Sequence, residues 1–122
     1  MTTSAAAVSL ATGMENPERV TVAMLVAVGA AEAGRETLMF LTQEAVRLVL
    51  PDHAVGVACE GCPSLPSLVD RYAAAGGRFL VCPICFNARR LDVDVVADNA
   101  TLGGTIQLWD WIGDRAVTTF SY

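Results

Sequence analysis

Arg78-Phe-Leu-Val-Cys-Pro-Ile-Cys85 is the stretch on which the fold turns. Phe79, Leu80 and Val81 form a short apolar run, the pattern of a strand buried on both faces, so a strand is predicted over Arg78 to Val81. Pro83 suits the first position of a helix, which makes Cys82 its N-cap and predicts a helix over Pro83 to Arg90. Upstream, Gly76-Gly77 closes a helical pattern running from Ser64 to Ala75, with Leu65, Leu68, Val69 and Tyr72 on one face. A helix leading into a strand that leads into a helix is the unit of a parallel sheet.

The rest of the chain repeats that alternation. Ala5 to Ala11 reads as a strand closed by Thr12-Gly13. Asn16 caps a helix with Pro17 at its first position and Glu18 facing the positive helix end. This helix is predicted to run to Ala33 and stop at Gly34. Its middle, Val20 to Val28, is apolar nearly all round, so it packs on the sheet with one side and on another surface with the other. Thr37 to Thr42 is a second strand, and Gln43 to Leu50 a short helical stretch halted by Pro51. His53 to Cys59 is ambiguous between strand and loop. Val93 to Asn99 reads as a short helix, Thr105 to Ile112 as a helix capped by Thr105, and Ala116 to Phe120 as a closing strand. The expectation is one domain over residues 1–122. It is a three-layer α/β sandwich with a mainly parallel, roughly five-stranded sheet and helices on both faces.

Composition narrows the function classes. The 122 residues are 53% hydrophobic and 17% charged, which excludes a disordered chain. Eight basic against thirteen acidic residues give a net charge of −5, so no basic footprint for nucleic acid exists. The segment from Met1 to Thr12 has no basic residue ahead of its apolar stretch and does not read as a secretory signal. The apolar run Val20 to Ala31 falls short of the roughly 20 residues of a membrane span. A soluble, cytoplasmic protein is expected. A positive mean hydropathy of +0.45 in so small a chain points to apolar surface covered by further copies.

Chemistry concentrates in four cysteines, Cys59-Glu-Gly-Cys62 and Cys82-Pro-Ile-Cys85, with nineteen residues between the pairs. In a reducing cytosol such residues are catalytic, metal-bound or free more often than structurally cross-linked. The spacing falls within the range of a four-thiolate zinc site built from Cys59, Cys62, Cys82 and Cys85. Against zinc, a whole helix separates the pairs and the second pair opens a helix instead of forming a knuckle. Cys82 instead ends a parallel strand, where open α/β sheets place their ligand crevice. Free N–H groups at a helix start stabilise a thiolate there. Cys85, one turn along, could resolve a sulfenate, persulfide or mixed disulfide on Cys82. The bland alternative is a buried core cysteine. Arg89 and Arg90 add positive charge farther along the helix.

Other residues carry less. His53, the single histidine, follows Pro51-Asp52 and reads as a surface residue. Glu15 could border the crevice or merely complement the helix end. Trp109 and Trp111 are expected in a core or subunit contact. Asp92, Asp94 and Asp98 lack the glycine turn and closing Glu of a calcium loop. No phosphate loop or dinucleotide fingerprint occurs.

Several segments together resemble the DsrE/DsrF-like family of small α/β proteins, which includes sulfur-relay subunits. They are Glu15-Asn-Pro-Glu-Arg19, Phe40-Leu-Thr-Gln-Glu44, Gly61-Cys-Pro-Ser-Leu-Pro-Ser-Leu68, Gly76 to Cys85, Arg89-Arg-Leu91, Asn99-Ala-Thr-Leu-Gly-Gly104 and Ala116-Val-Thr-Thr-Phe120. The resemblance implies a parallel sheet between helices and assembly into dimers, trimers or hexamers. It also implies a persulfide-carrying cysteine at the position of Cys82, served by sulfur donor and acceptor proteins. Cys59, Cys62 and Cys85 go beyond what a single-cysteine carrier requires. Three readings follow: a sulfur carrier on Cys82 with Cys85 or Cys62 as resolving thiol and no cofactor; a dithiol oxidoreductase cycling Cys82 and Cys85; and a zinc- or ligand-binding oligomer without turnover.

Overall fold

A computed structural model describes residues 4–122. The expected domain span of 1–122 includes residues 1–3, which lie outside the described ones. The strands are β1 (Ala5–Leu10), β2 (Thr37–Leu41), β3 (Arg78–Val81), β4 (Ala100–Leu102) and β5 (Val117–Ser121). The helices are α1 (Pro17–Glu32), α2 (Leu65–Ala74), α3 (Pro83–Ala88) and α4 (Thr105–Ile112). 3-10 helix occupies Gln43–Val49, just over two turns, and Val93–Val95, a single turn. The sheet runs β4-β3-β2-β1-β5 with every neighbouring pair parallel.

Each boundary has a local cause. Asn16 accepts a hydrogen bond from the Arg19 amide at 3.1 Å, Pro17 needs no donor, and Gly34 takes a φ of +87° just past the helix. Ser64 caps α2 in the same way through Ser67. The stretch after β2 forms 3-10 geometry between an extended Thr42 and an extended Leu50, which precedes Pro51. At α4 the cap is Gly104, not Thr105: the Gln107 side chain reaches back to accept from the Gly104 amide at 2.8 Å. β4, a three-residue edge strand, is not expected from the sequence. It lies beside β3, with Phe79 opposite Ala100 and Val81 opposite Leu102.

The core lies on one face of the sheet. Val8, Leu10, Met39, Leu41, Phe79 and Val81 point there, against Val20, Ala23, Met24, Ala27 and Val28 of α1 and Leu65, Leu68 and Tyr72 of α2. The α1 residues recur at three- and four-residue steps, which puts them on one stripe. On the opposite side of α1, Val22 and Leu25 stay about two-fifths exposed, at 41% and 42%. This is the all-round apolar character read from the sequence. The second face of the sheet is covered more thinly. There α4 brings Leu108 and Ile112 over Ala7, Ser9 and Phe40, leaving a cavity of about 100 Å³. No residue of α4 is fully buried, and Trp109 is 68% exposed within the chain. A core position for Trp109 is thereby corrected. Trp111 lies beneath the Arg115 guanidinium, 4.5 Å from the ring centre.

One contact fixes α2 against the sheet. The buried Tyr72 hydroxyl donates to the Arg78 carbonyl at 2.6 Å, and its ring tilts against Phe79 at 5.0 Å between centroids. Gly77 makes room for it, because a Cβ there would stand 2.3 Å from the tyrosine ring.

Candidate functional site at the strand ends

The parallel register brings four strand ends into one row. Leu10 pairs with Leu41, Leu41 with Val81, and Val81 with Leu102. The next residues along are Ala11, Thr42, Cys82 and Gly103. The Cys82 amide donates to the Leu41 carbonyl at 2.9 Å, and the Gly103 amide to Val81 at 3.0 Å. Cys82 is thus held by the sheet through its backbone and stands between the strand ends of β2 and β4. Its carbonyl accepts from the Phe86 amide at 3.0 Å, starting α3. The Cys82 side chain makes no cap hydrogen bond. Its thiol is free and half-buried, as is that of Cys85, which also leans on the core. Ile84, between them, is 80% exposed. The helix that Cys82 caps is only six residues long, shorter than the span to Arg90 expected from sequence.

Glu44 lies in the 3-10 stretch that follows the end of β2. Arg89 donates from Nε to Glu44 Oε2 at 2.5 Å and from Nη1 to the Cys85 carbonyl at 3.1 Å. Arg47 reaches the other carboxylate oxygen at 3.0 Å. The Arg89 guanidinium does most to hold the Glu44 carboxyl below its ordinary range, burial opposes it, and Arg47 adds to the lowering. Glu44 is therefore an anion clamped between two cations. On its other side Gly13 approaches so closely that a Cβ would lie 2.8 Å from Glu44 Cβ. The Gly13 amide donates to Glu15 Oε1 at 2.7 Å, so Glu15 folds back on the β1–α1 loop at the crevice. The sequence reading assigned no role to Glu44 and placed Arg89 only as charge along the helix. The one available signal was Glu44's place directly after a strand end, the same kind of place that drew attention to Cys82.

The first cysteine pair has a different state. Cys59 and Cys62 are joined by a disulfide, with Cα atoms 5.1 Å apart. They belong to the irregular segment between the 3-10 turn and α2. Among the described residues no group of three or more His, Cys, Asp or Glu side chains is arranged to hold a metal ion. Cys82 and Cys85 take no part in the disulfide and remain free thiols. A cavity of about 320 Å³ lies along the same segment, lined by Pro51, Ala54, Val55, Pro66, Val69 and Val95, and neither Cys82 nor Cys85 reaches it. His53 is half-buried; burial and Arg47 push its pKa down while Glu44 opposes them. Asp92 is occupied in capping its own turn through the Asp94 amide.

An open, all-parallel α/β sheet with a free thiol at the carboxyl end of an inner strand defines a class of small thiol-bearing α/β domains. Within that class the chain belongs to the DsrE/DsrF-like family, whose model matches residues 5–120. Its fold is shared with the ychN protein of E. coli at a TM-score of 0.74 and 18% identity, covering 95% of this chain and 99% of that one. MTH1491 of Methanobacterium thermoautotrophicum, described as a protein of unknown function, matches at a TM-score of 0.62 and 12% identity, covering 98% and 100%. At these identities the likeness speaks to the fold. No curated protein matches the chain in sequence. No helix among the described residues is long and apolar enough to cross a membrane.

Proposed function

We propose that this protein is a sulfur carrier that holds sulfane sulfur as a persulfide on Cys82. Membership of the DsrE/DsrF-like family points towards sulfur-relay chemistry in general. The observation that carries the finer reading is the position of the Cys82 thiol: free, half-buried and at the end of an inner strand, with its backbone pinned by the Leu41 carbonyl. A carrier needs a fixed nucleophile that a partner protein can reach, more than it needs a deep pocket. The Cys82 thiolate attacks the terminal sulfur of a donor persulfide. A new S–S bond forms at Cys82, the donor's S–S bond breaks, and the donor leaves as a thiolate. Attack by an acceptor thiolate on the same terminal sulfur reverses the exchange and restores Cys82. No metal or cofactor enters either step.

Cys85 offers a second exit. Its thiolate can attack the Cys82 sulfur, forming a Cys82–Cys85 disulfide and expelling hydrosulfide, after which an external thiol must reduce the pair. The same two free thiols support the alternative of a dithiol oxidoreductase. The carrier is also read as a cytoplasmic homo-oligomer. The exposed Val22 and Leu25 of α1, together with Phe120 of β5 at 45% exposure, supply an apolar surface for contact between copies.

The test is native intact mass with metal analysis on freshly purified, unreduced protein. The expected result is a metal-free chain carrying a reducible adduct of about 32 Da, one sulfur atom, that is absent in Cys82→Ser. One zinc per chain with unreactive thiols overturns the carrier. A Cys82–Cys85 disulfide that cycles with thiols but never takes up sulfur from a persulfide donor favours the oxidoreductase.

A further inference from the structure

The Cys59–Cys62 disulfide calls for an explanation of its own. A cross-link stabilises a fold chiefly by restricting the unfolded chain, and the effect grows with the length of the loop it closes. Here the sequence separation is 3, so the bond restrains almost nothing beyond its own turn. That turn is already formed without the sulfurs: Gly61 takes a φ of +82°, and the Cys62 amide donates to the Cys59 carbonyl at 3.1 Å. Downstream, the Leu65 amide donates to Gly56, and Ser64 caps α2. The disulfide is therefore redundant as a staple. Both cysteines are half-buried, and the Glu60 and Gly61 between them are exposed, so the bond sits at the surface, within reach of a solution thiol. Exposed disulfides are the labile, regulatory or catalytic ones.

We propose that Cys59 and Cys62 form a second, reversible redox centre that exchanges two electrons with dithiol partners, chemically separate from Cys82. In the forward exchange one thiolate of a reduced dithiol attacks the Cys59–Cys62 bond and expels one cysteine as a thiolate. The second thiol of the dithiol then attacks the mixed disulfide and releases the other cysteine. The partner leaves oxidised to its own disulfide, and the protein gains two electrons and two protons as two thiols. The reverse exchange restores the bond and reduces the partner. The four-residue turn brings the sulfurs together in either state, since its backbone hydrogen bond does not depend on them. This centre neither requires nor excludes a persulfide at Cys82, and the two can be measured apart.

The experiment uses the full-length Cys82→Ser/Cys85→Ser protein, in which only the first pair can react. It is equilibrated in glutathione mixtures from fully reduced to largely oxidised, starting from both the reduced and the oxidised protein. Acid quenching, alkylation and intact mass then count free thiols. The expected result is a single transition from none to two thiols per chain, both appearing together, with the same midpoint from either direction. Persistence of the bond in fully reduced glutathione until the chain is denatured overturns the proposal. So do thiols that stay free in the oxidised mixtures, and so do stable glutathione adducts in place of the internal bond. If the double variant folds poorly, the same titration of the wild-type chain, with Cys59 and Cys62 located by peptide mapping, gives the same decision. Loss of the sulfur adduct at Cys82 would leave this result untouched, and the converse holds equally.

Discussion

Arg89 on the helix that Cys82 opens donates to the carboxylate of Glu44 at 2.5 Å, tying α3 to the turn that follows β2. The bridge joins the C-terminal end of α3, where Arg89 is the cap, to the 3-10 stretch that follows β2. With side-chain exposures of 25% for Arg89 and 43% for Glu44, the pair is open to solvent and screened by salt. Replacing Glu44 by Gln should cost no more than about 1 kcal/mol near neutral pH. The sign of its pH dependence is set by the depressed carboxyl. The folded chain releases this proton more readily than the unfolded chain, so the stabilisation is complete above the ordinary value of 4.5. It is lost as pH falls through the lower folded value. Denaturant midpoints of wild type and Glu44→Gln should converge in acid and in high salt. A difference that stays constant down to about pH 3 counts against the ion pair.

His53 gives a second, separable pH effect. Burial first, and Arg47 second, push its pKa below the ordinary 6.5, with Glu44 opposing. The unfolded chain then binds the proton more readily than the folded one. Stability is highest above pH 6.5 and narrows as pH falls towards the lower folded value. His53→Gln should flatten the stability profile just below the ordinary 6.5 while leaving the acid effect of Glu44 in place. An unchanged slope in that window would count against burial of the ring.

Tyr72 and Gly77 predict larger losses. Tyr72→Phe deletes the donor to the Arg78 carbonyl and should cost about 1 to 2 kcal/mol by denaturant unfolding. Gly77→Ala places a methyl where the Tyr72 ring already stands, and overpacking of this kind costs roughly 1 to 3 kcal/mol. Combining Gly77→Ala with Tyr72→Leu should cost less than the two single losses added, because the clash has gone. Strict additivity would show that the two residues do not share one space.

For association between copies, Leu25→Glu and Phe120→Glu put charge on apolar surface that is exposed within one chain. Light scattering after size exclusion should show the wild-type chain as an oligomer and each variant shifted towards monomer. The unfolding midpoint of the isolated monomer should change little, since neither side chain belongs to the core. A wild-type chain that is monomeric at all concentrations overturns the apolar-surface argument.

The architecture was legible where the sequence carries paired signals. Asn16-Pro17 with Gly34, and Ser64 with Gly76, mark both ends of α1 and α2, and the apolar runs of β1, β2 and β3 are the strands buried on both faces. Reading failed where tertiary contact decides the conformation. Ala100–Leu102 has no pattern of its own and becomes a strand because β3 offers it a partner. The cap of α4 moved to Gly104 because the Gln107 side chain, not the threonine, accepts the bond from the Gly104 amide. The place of Cys82, at a strand end and opening a helix at Pro83, was legible from local grammar alone. Glu44 was not, since its meaning depends on Arg89, forty-five residues away. That Cys59 and Cys62 bond to each other while Cys82 and Cys85 stay free is equally a matter of three dimensions, which spacing does not encode.

The strand order has a consequence for how this chain comes into being. β1 is an inner strand, yet one of its two neighbours is β5, with Ala5 opposite Val117. During synthesis β1, β2 and β3 leave the ribosome early and can assemble with α1 and α2 into most of the core. Until β5 emerges, the outer backbone edge of β1, with its run Ala5-Ala-Ala-Val8, has no partner. Such an edge is a template for pairing with a neighbouring nascent chain. Pulse-labelled hydrogen exchange during refolding should protect the amides of β2 and β3 before those of β5, and a chain stopped before Val117 should aggregate with its helices largely formed.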